Sequence, residues 1–153
     1  MTDGASSRRT VIIGVDPGRS KCGLAVVYGD GSRKSLEVVP TPEIADRIDE
    51  EVRASDVRAI CIGHATGSDP IVALCASRWP DIPRRVVDET NTTLEARRLY
   101  YIDHPPRGLW RFIPRGLLVP DEPLDAYAAL LIVSRSEAEK GSRDTRHPRA
   151  GKG

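Results

Sequence analysis

One hundred and fifty-three residues suffice for one hydrophobic core burying roughly two-thirds of the surface the unfolded chain exposes, and are too few for a two-domain enzyme. Twenty-three Lys and Arg against 22 Asp and Glu leave a formal charge of +1, which speaks against a protein that grips polyanions through bulk charge alone. No stretch approaches the roughly 18 apolar residues of a membrane span, and the first ten residues lack a signal peptide's apolar run, so the expectation is a soluble, cytoplasmic protein without a membrane partner.

The charge is unevenly distributed. From Arg135 to Gly153 six Lys or Arg face three Asp or Glu, a local +3 that leaves residues 1–134 at −2. Three cysteines, Cys22, Cys61 and Cys75, are an odd count without a CxxC spacing. They predict buried thiols rather than disulfides or a structural zinc site.

Residues 1–9 and 136–153 carry little that a core could use and are expected to be flexible tails around a folded unit of residues 10–135. VIIGVD at 11–16 is a β-branched run stopped by Pro17 and Gly18, which predicts a buried central strand and a turn. Residues 22–28 predict a second strand, and Gly29 to Gly31 a hairpin into a third at 35–39. Thr41, Pro42 and Glu43 read as a capping hydroxyl, a first-turn proline and a first-turn acid. The helix they open, to about residue 54, carries Ile44, Ile48 and Val52 on one face and an acidic outer face ill suited to a phosphate backbone.

Strands at 57–63 and 84–89 alternate with a helix at 68–78, a further helix follows Asn91 or Thr92 to about Tyr101, and Pro123 begins the last. Three sequential strands joined by hairpins, then alternating helix and strand, predict an α/β fold: a mixed five-stranded sheet, antiparallel first and parallel later, flanked by helices. The long connection at 103–122 holds Trp110 and Phe112 among Arg107, Arg111 and Arg115, just after Tyr100 and Tyr101. Aromatic planes interleaved with guanidinium groups suit unpaired bases and phosphates; the other reading is a loop pinned to the core by Trp110 and Phe112. Residues 84–115 hold seven arginines against four acids.

Asp16 stands at the carboxyl end of the central strand, where open α/β sheets place their ligands. Glu89 ends a later strand in the same way, and Asp125 lies in the first turn of the last helix. Singly, these acids would do for a turn, a solvated strand end and a helix-dipole contact. Gathered on one edge they would repel one another, which a bound Mg²⁺ or Mn²⁺ relieves, and one or two such ions suit phosphodiester hydrolysis.

GVDPGRSKCGLAVV, VDETNTTLEAR and LDAYAALLIV resemble, in order and spacing, the signature segments of the YqgF (RuvX) family of Holliday-junction resolvase and pre-16S rRNA nuclease proteins. That family is related to the RuvC resolvases within the ribonuclease-H-like fold. The resemblance spans about residues 11–134. It implies that Asp16, Glu89 and Asp125 are catalytic and hold the metal, that Lys21 lies near the nucleic-acid phosphates, and that Thr93 and Arg97 back the site. Arg107, Trp110, Arg111 and Arg115 complete the expected nucleic-acid surface, for a DNA junction or precursor rRNA.

Two departures stand out, and one spacing that matches the RuvC resolvases. Thr90 occupies the place of the family's arginine after the acidic pair. His64, in IGHATG, would be either a proton donor and acceptor or a simple turn contact. Glu122 forms an i, i+3 pair with Asp125, or else only precedes the helix where an acid is favourable. The competing readings are an inactive nucleic-acid-binding module of the same fold, and an actin-like ATPase or sugar kinase, which at this length would need two copies to close around ATP in place of a second domain. A resolvase would also need a symmetric homodimer to make paired cuts.

Overall fold

The computed structural model describes residues 8–65, 68–88, 92–108, 112 and 124–144, the side chains of 92–94 and 142–144 excepted. Strands β1 (Thr10–Asp16), β2 (Lys21–Tyr28) and β3 (Arg33–Pro40) lead through a 3₁₀ turn at Thr41–Glu43 into helix α1 (Ile44–Ala54). Then come β4 (Asp56–His64), α2 (Ser68–Arg78), β5 (Arg84–Asp88), α3 (Thr92–Asp103) and α4 (Asp125–Asp144). The sheet runs β3-β2-β1-β4-β5, antiparallel through β1, β2 and β3 and parallel from β1 to β4 to β5. This is the mixed five-stranded sheet that the element order predicts. Asp16, His64 and Asp88 all stand at carboxyl ends of its parallel strands.

Side chains alternate across a strand, so β1 to β4 feed two cores, while β5 feeds one. Ile13, Val15, Leu24, Ile60 and Ile62 pack under α1 and α2 against Ile44, Ile48, Ile71 and Trp79. Ile12, Ala25, Val27, Ala59, Cys61 and Val87 face α4 through Ala129, Leu130, Ile132 and Val133. Cys22, Cys61 and Cys75 are buried and unbridged, as their spacing predicts. Burial pushes the Cys61 thiol up and the Cys75 thiol up to about 11.

Thr41 departs from its expected role. No side-chain cap bond forms at this helix start; the Thr41 hydroxyl donates instead to the Gly18 carbonyl at 2.9 Å, and the Thr41 amide to the Ser20 carbonyl at 2.9 Å. The hydroxyl is thus spent across the chain, on the turn that follows Asp16. The acids of α1 are less uniformly solvated than expected. Glu51 is buried and accepts from Lys34 and from the Ser55 hydroxyl, while Asp49 pairs with Arg78 and the Trp79 indole.

The last helix continues to Asp144, where the sequence reading begins a tail at Ser136. Ser136 is buried. Glu137 accepts from Arg58 and Arg85 at 2.8 Å each, partners on β4 and β5 that make this polar stretch worth ordering. Tyr100 and Tyr101 are likewise not part of a nucleic-acid face. Both are buried, packed edge to face at 5.2 Å, and join α3 to α4 through Ala96 and Tyr127. An aromatic ring on a helix answers first to the core it can reach.

Candidate active site

The α4 side of the sheet is where the chemistry-bearing residues meet. On β1, Asp16 alternates with Ile12 and Gly14, the α4-facing set, and lies in register opposite Gly23 of β2. Gly23 in turn touches the start of α4: a Cβ there would overlap the carbonyl carbon and oxygen of Asp125. A second glycine repeats the device, since a Cβ on Gly14 would overlap the Ala129 carbonyl and the Val133 side chain. Helix α4 therefore lies on bare backbone, and Gly23 is the shared neighbour of Asp16 and Asp125.

Lys21 shares the Gly23 face of β2, two residues earlier. Its Nζ lies 3.3 Å from Asp125 Oδ2, with both side chains partly exposed. The turn between Asp16 and Lys21 is held by Thr41 through the two bonds to Gly18 and Ser20, with Cys22 Sγ 3.5 Å from the Thr41 hydroxyl. Arg135 closes the other side: it donates to the Asp88 carbonyl at 2.9 Å and to Glu95 at 3.2 Å, tying the end of β5 to α3 and α4.

The other expected residues divide into two groups. His64 is exposed, in register with Asp88, and shares its strand face with Ile60 and Ile62, the side of α1 and α2 rather than of Asp16. Arg97 is half-buried on α3, and Arg107 and Phe112 are exposed. Glu89, Thr90, Trp110, Arg111, Arg115 and Glu122 lie outside the described residues, as does the side chain of Thr93. Among the described residues no three His, Cys, Asp or Glu gather as a metal centre.

Three contributors escape a reading for chemistry: Gly23, Thr41 and Arg135. Gly23 has a sequence signal, because a lone glycine inside a strand marks a close backbone approach. Thr41 and Arg135 have none, since their partners are 23 and 47 residues away.

The order β3-β2-β1-β4-β5, with an acid at the end of the central strand and a helix laid across it, defines a ribonuclease-H-like fold. RuvC of Thermus thermophilus, solved in complex with a Holliday junction substrate, overlays 87% of this chain and 97% of its own with a TM-score of 0.52 at 18% identity. No family profile matches the chain. Proteins from two strains of Bacteroides fragilis, each described as a "Putative pre-16S rRNA nuclease", are 31% identical across 57% of this chain and 72% of their own. The chain belongs to their family, the YqgF family. No helix among the described residues is long and apolar enough to cross a membrane.

Proposed function

We propose that this chain is a metal-dependent nuclease that hydrolyses phosphodiester bonds in structured nucleic acid, with Asp16, Glu89 and Asp125 holding one or two Mg²⁺ or Mn²⁺ ions. The observation that carries the reading is the meeting of Asp16 and Asp125 around Gly23. The donors are carboxylate oxygens, and a cation already rests against one of them as the Lys21 ammonium, a chemistry that fits a hard divalent ion. Such an ion would supply Lewis acidity to a phosphoryl oxygen.

The chain's own residues would hold and orient the substrate. Lys21 and Arg107 are exposed and Arg97 half-exposed, and with Trp110, Arg111 and Arg115 they would grip phosphates and stack on unpaired bases. Thr41 would keep the Asp16 turn in place, and Arg135 the end of β5 that leads into Glu89. The substrate class we favour is precursor 16S rRNA, after the relatives at 31% identity; the RuvC likeness speaks for the fold.

The test is a cleavage assay with Mg²⁺ and Mn²⁺ on precursor rRNA, a four-way DNA junction and single-stranded DNA. Wild type should cut the rRNA precursor, and Asp16→Asn, which keeps the shape and removes the charge, should abolish cleavage while nucleic-acid binding survives. Cleavage by Asp16→Asn at the wild-type rate, or by wild type in EDTA, overturns the metal-site assignment. Preferential cutting of the junction overturns the choice of substrate.

A further inference from the structure

Lys21 is expected to meet phosphate, yet it rests on Asp125, 3.3 Å from Oδ2. Its ammonium has three donors and can reach a phosphate as well, but a divalent cation on the same carboxylate would repel it. The pair is lopsided in mobility. Asp125 is the first residue of α4, whose backbone is wedged against Gly23, whereas the Lys21 side chain is 51% exposed on a flexible four-carbon stem. Asp125 therefore stays where it is, and Lys21 is the partner that can leave. What would displace it is a second cation seeking the same carboxylate, and what would receive it is the nearest new anion, the nucleic-acid backbone.

We propose that Lys21 is an exchangeable counter-ion: it neutralises Asp125 until a divalent cation binds, then moves to a substrate phosphate. Metal loading thereby switches on a nucleic-acid contact. The inference rests on the metal-dependent reading above, and adds that Lys21 opposes metal binding in the absence of substrate.

Two measurements on the full chain test it. In calorimetric titration with Mn²⁺ and no nucleic acid, Lys21→Met should bind the ion about two- to fivefold more tightly than wild type, the range over which an exposed ion pair competes. Arg19→Gln removes the same charge from the exposed turn before Lys21 and should leave the affinity near wild type. In single-stranded RNA binding with Ca²⁺ as the probe ion, Lys21→Met should lower the salt slope by about one phosphate contact, and in EDTA it should match wild type.

Equal or weaker Mn²⁺ binding by Lys21→Met overturns the exchange. So does equal tightening by Arg19→Gln, or a slope change of the same size in EDTA. If wild type binds no Mn²⁺ at all, the metal-dependent reading falls and the exchange with it; if wild type binds and Lys21→Met binds no more tightly, the exchange falls alone.

Discussion

The two faces of the sheet are built from alternate residues of the same strands and do different work. Under α1 and α2 the contacts are large aliphatics, Ile13, Val15, Leu24, Ile60 and Ile62, meeting Ile44, Ile48 and Ile71. Under α4 the strands offer Gly14, Gly23, Ala25, Ala59 and Cys61 beside Ile12, Val27 and Val87. The first face separates helix from sheet by whole side chains and gains stability from the area it buries, about 1.5–3 kcal/mol for each large aliphatic. The second gives up that volume so that a helix backbone can lie directly on the strands. Burial holds the fold together on both sides, and on the α4 side close approach at Gly14 and Gly23 also sets the position of an acid.

The contrast breaks most sharply at Gly23. Gly23→Ala puts a methyl group where the Asp125 carbonyl stands, and shifting α4 by even about 1 Å should reduce cleavage on the order of 100-fold, with about 1–3 kcal/mol of stability lost to overpacking. Ile48→Ala, on the opposite face, should cost about 2–5 kcal/mol in a denaturant titration while the rate per folded molecule stays near wild type. If Ile48→Ala slows cleavage by the folded protein as strongly as Gly23→Ala does, the two faces do not divide the work in this way.

A smaller effect sharpens the same contrast through pH. Burial raises the Glu51 pKa, but the hydrogen bonds from Lys34 and Ser55 and the charges of Lys34 and Arg47 outweigh it, and the carboxyl ends below its ordinary value. A lowered folded-state pKa means that the stabilisation is complete above the unfolded glutamate range and disappears as the pH falls through the folded value. Glu51→Gln should cost about 1–3 kcal/mol at neutral pH and flatten the acid limb of the stability curve, with cleavage by the folded protein unaffected. A variant whose stability falls as steeply in acid as the wild type would show that Glu51 carries none of that limb.

Within the site, legibility tracks sequence distance. Asp16 is readable because a β-branched run stopped by Pro-Gly places it at a strand end, and the DE pair and LDAYAALL stand out as family segments. The Gly23 contact is half-readable: the glycine is visible inside its strand, its partner on a helix a hundred residues later is not. Thr41 reads as a cap because a hydroxyl before Pro and Glu usually is one, yet its bond goes to Gly18. Tyr100 and Tyr101 read as nucleic-acid contacts because arginines follow them, and they are core because Tyr127 lies within reach.

By itself, then, the sequence determined the five strands, their order along the chain, the burial of three cysteines and the family. These follow from alternation, helical spacing, turn residues and short motifs, all of which act within a few positions. Only the tertiary structure decided that α4 would lie on backbone at Gly14 and Gly23, that Lys21 would rest on Asp125, and that α4 would continue to Asp144. Each of these depends on which distant group arrives beside a residue: Glu137 has no reason to order a helix until Arg58 and Arg85 stand opposite it, 79 and 52 residues away.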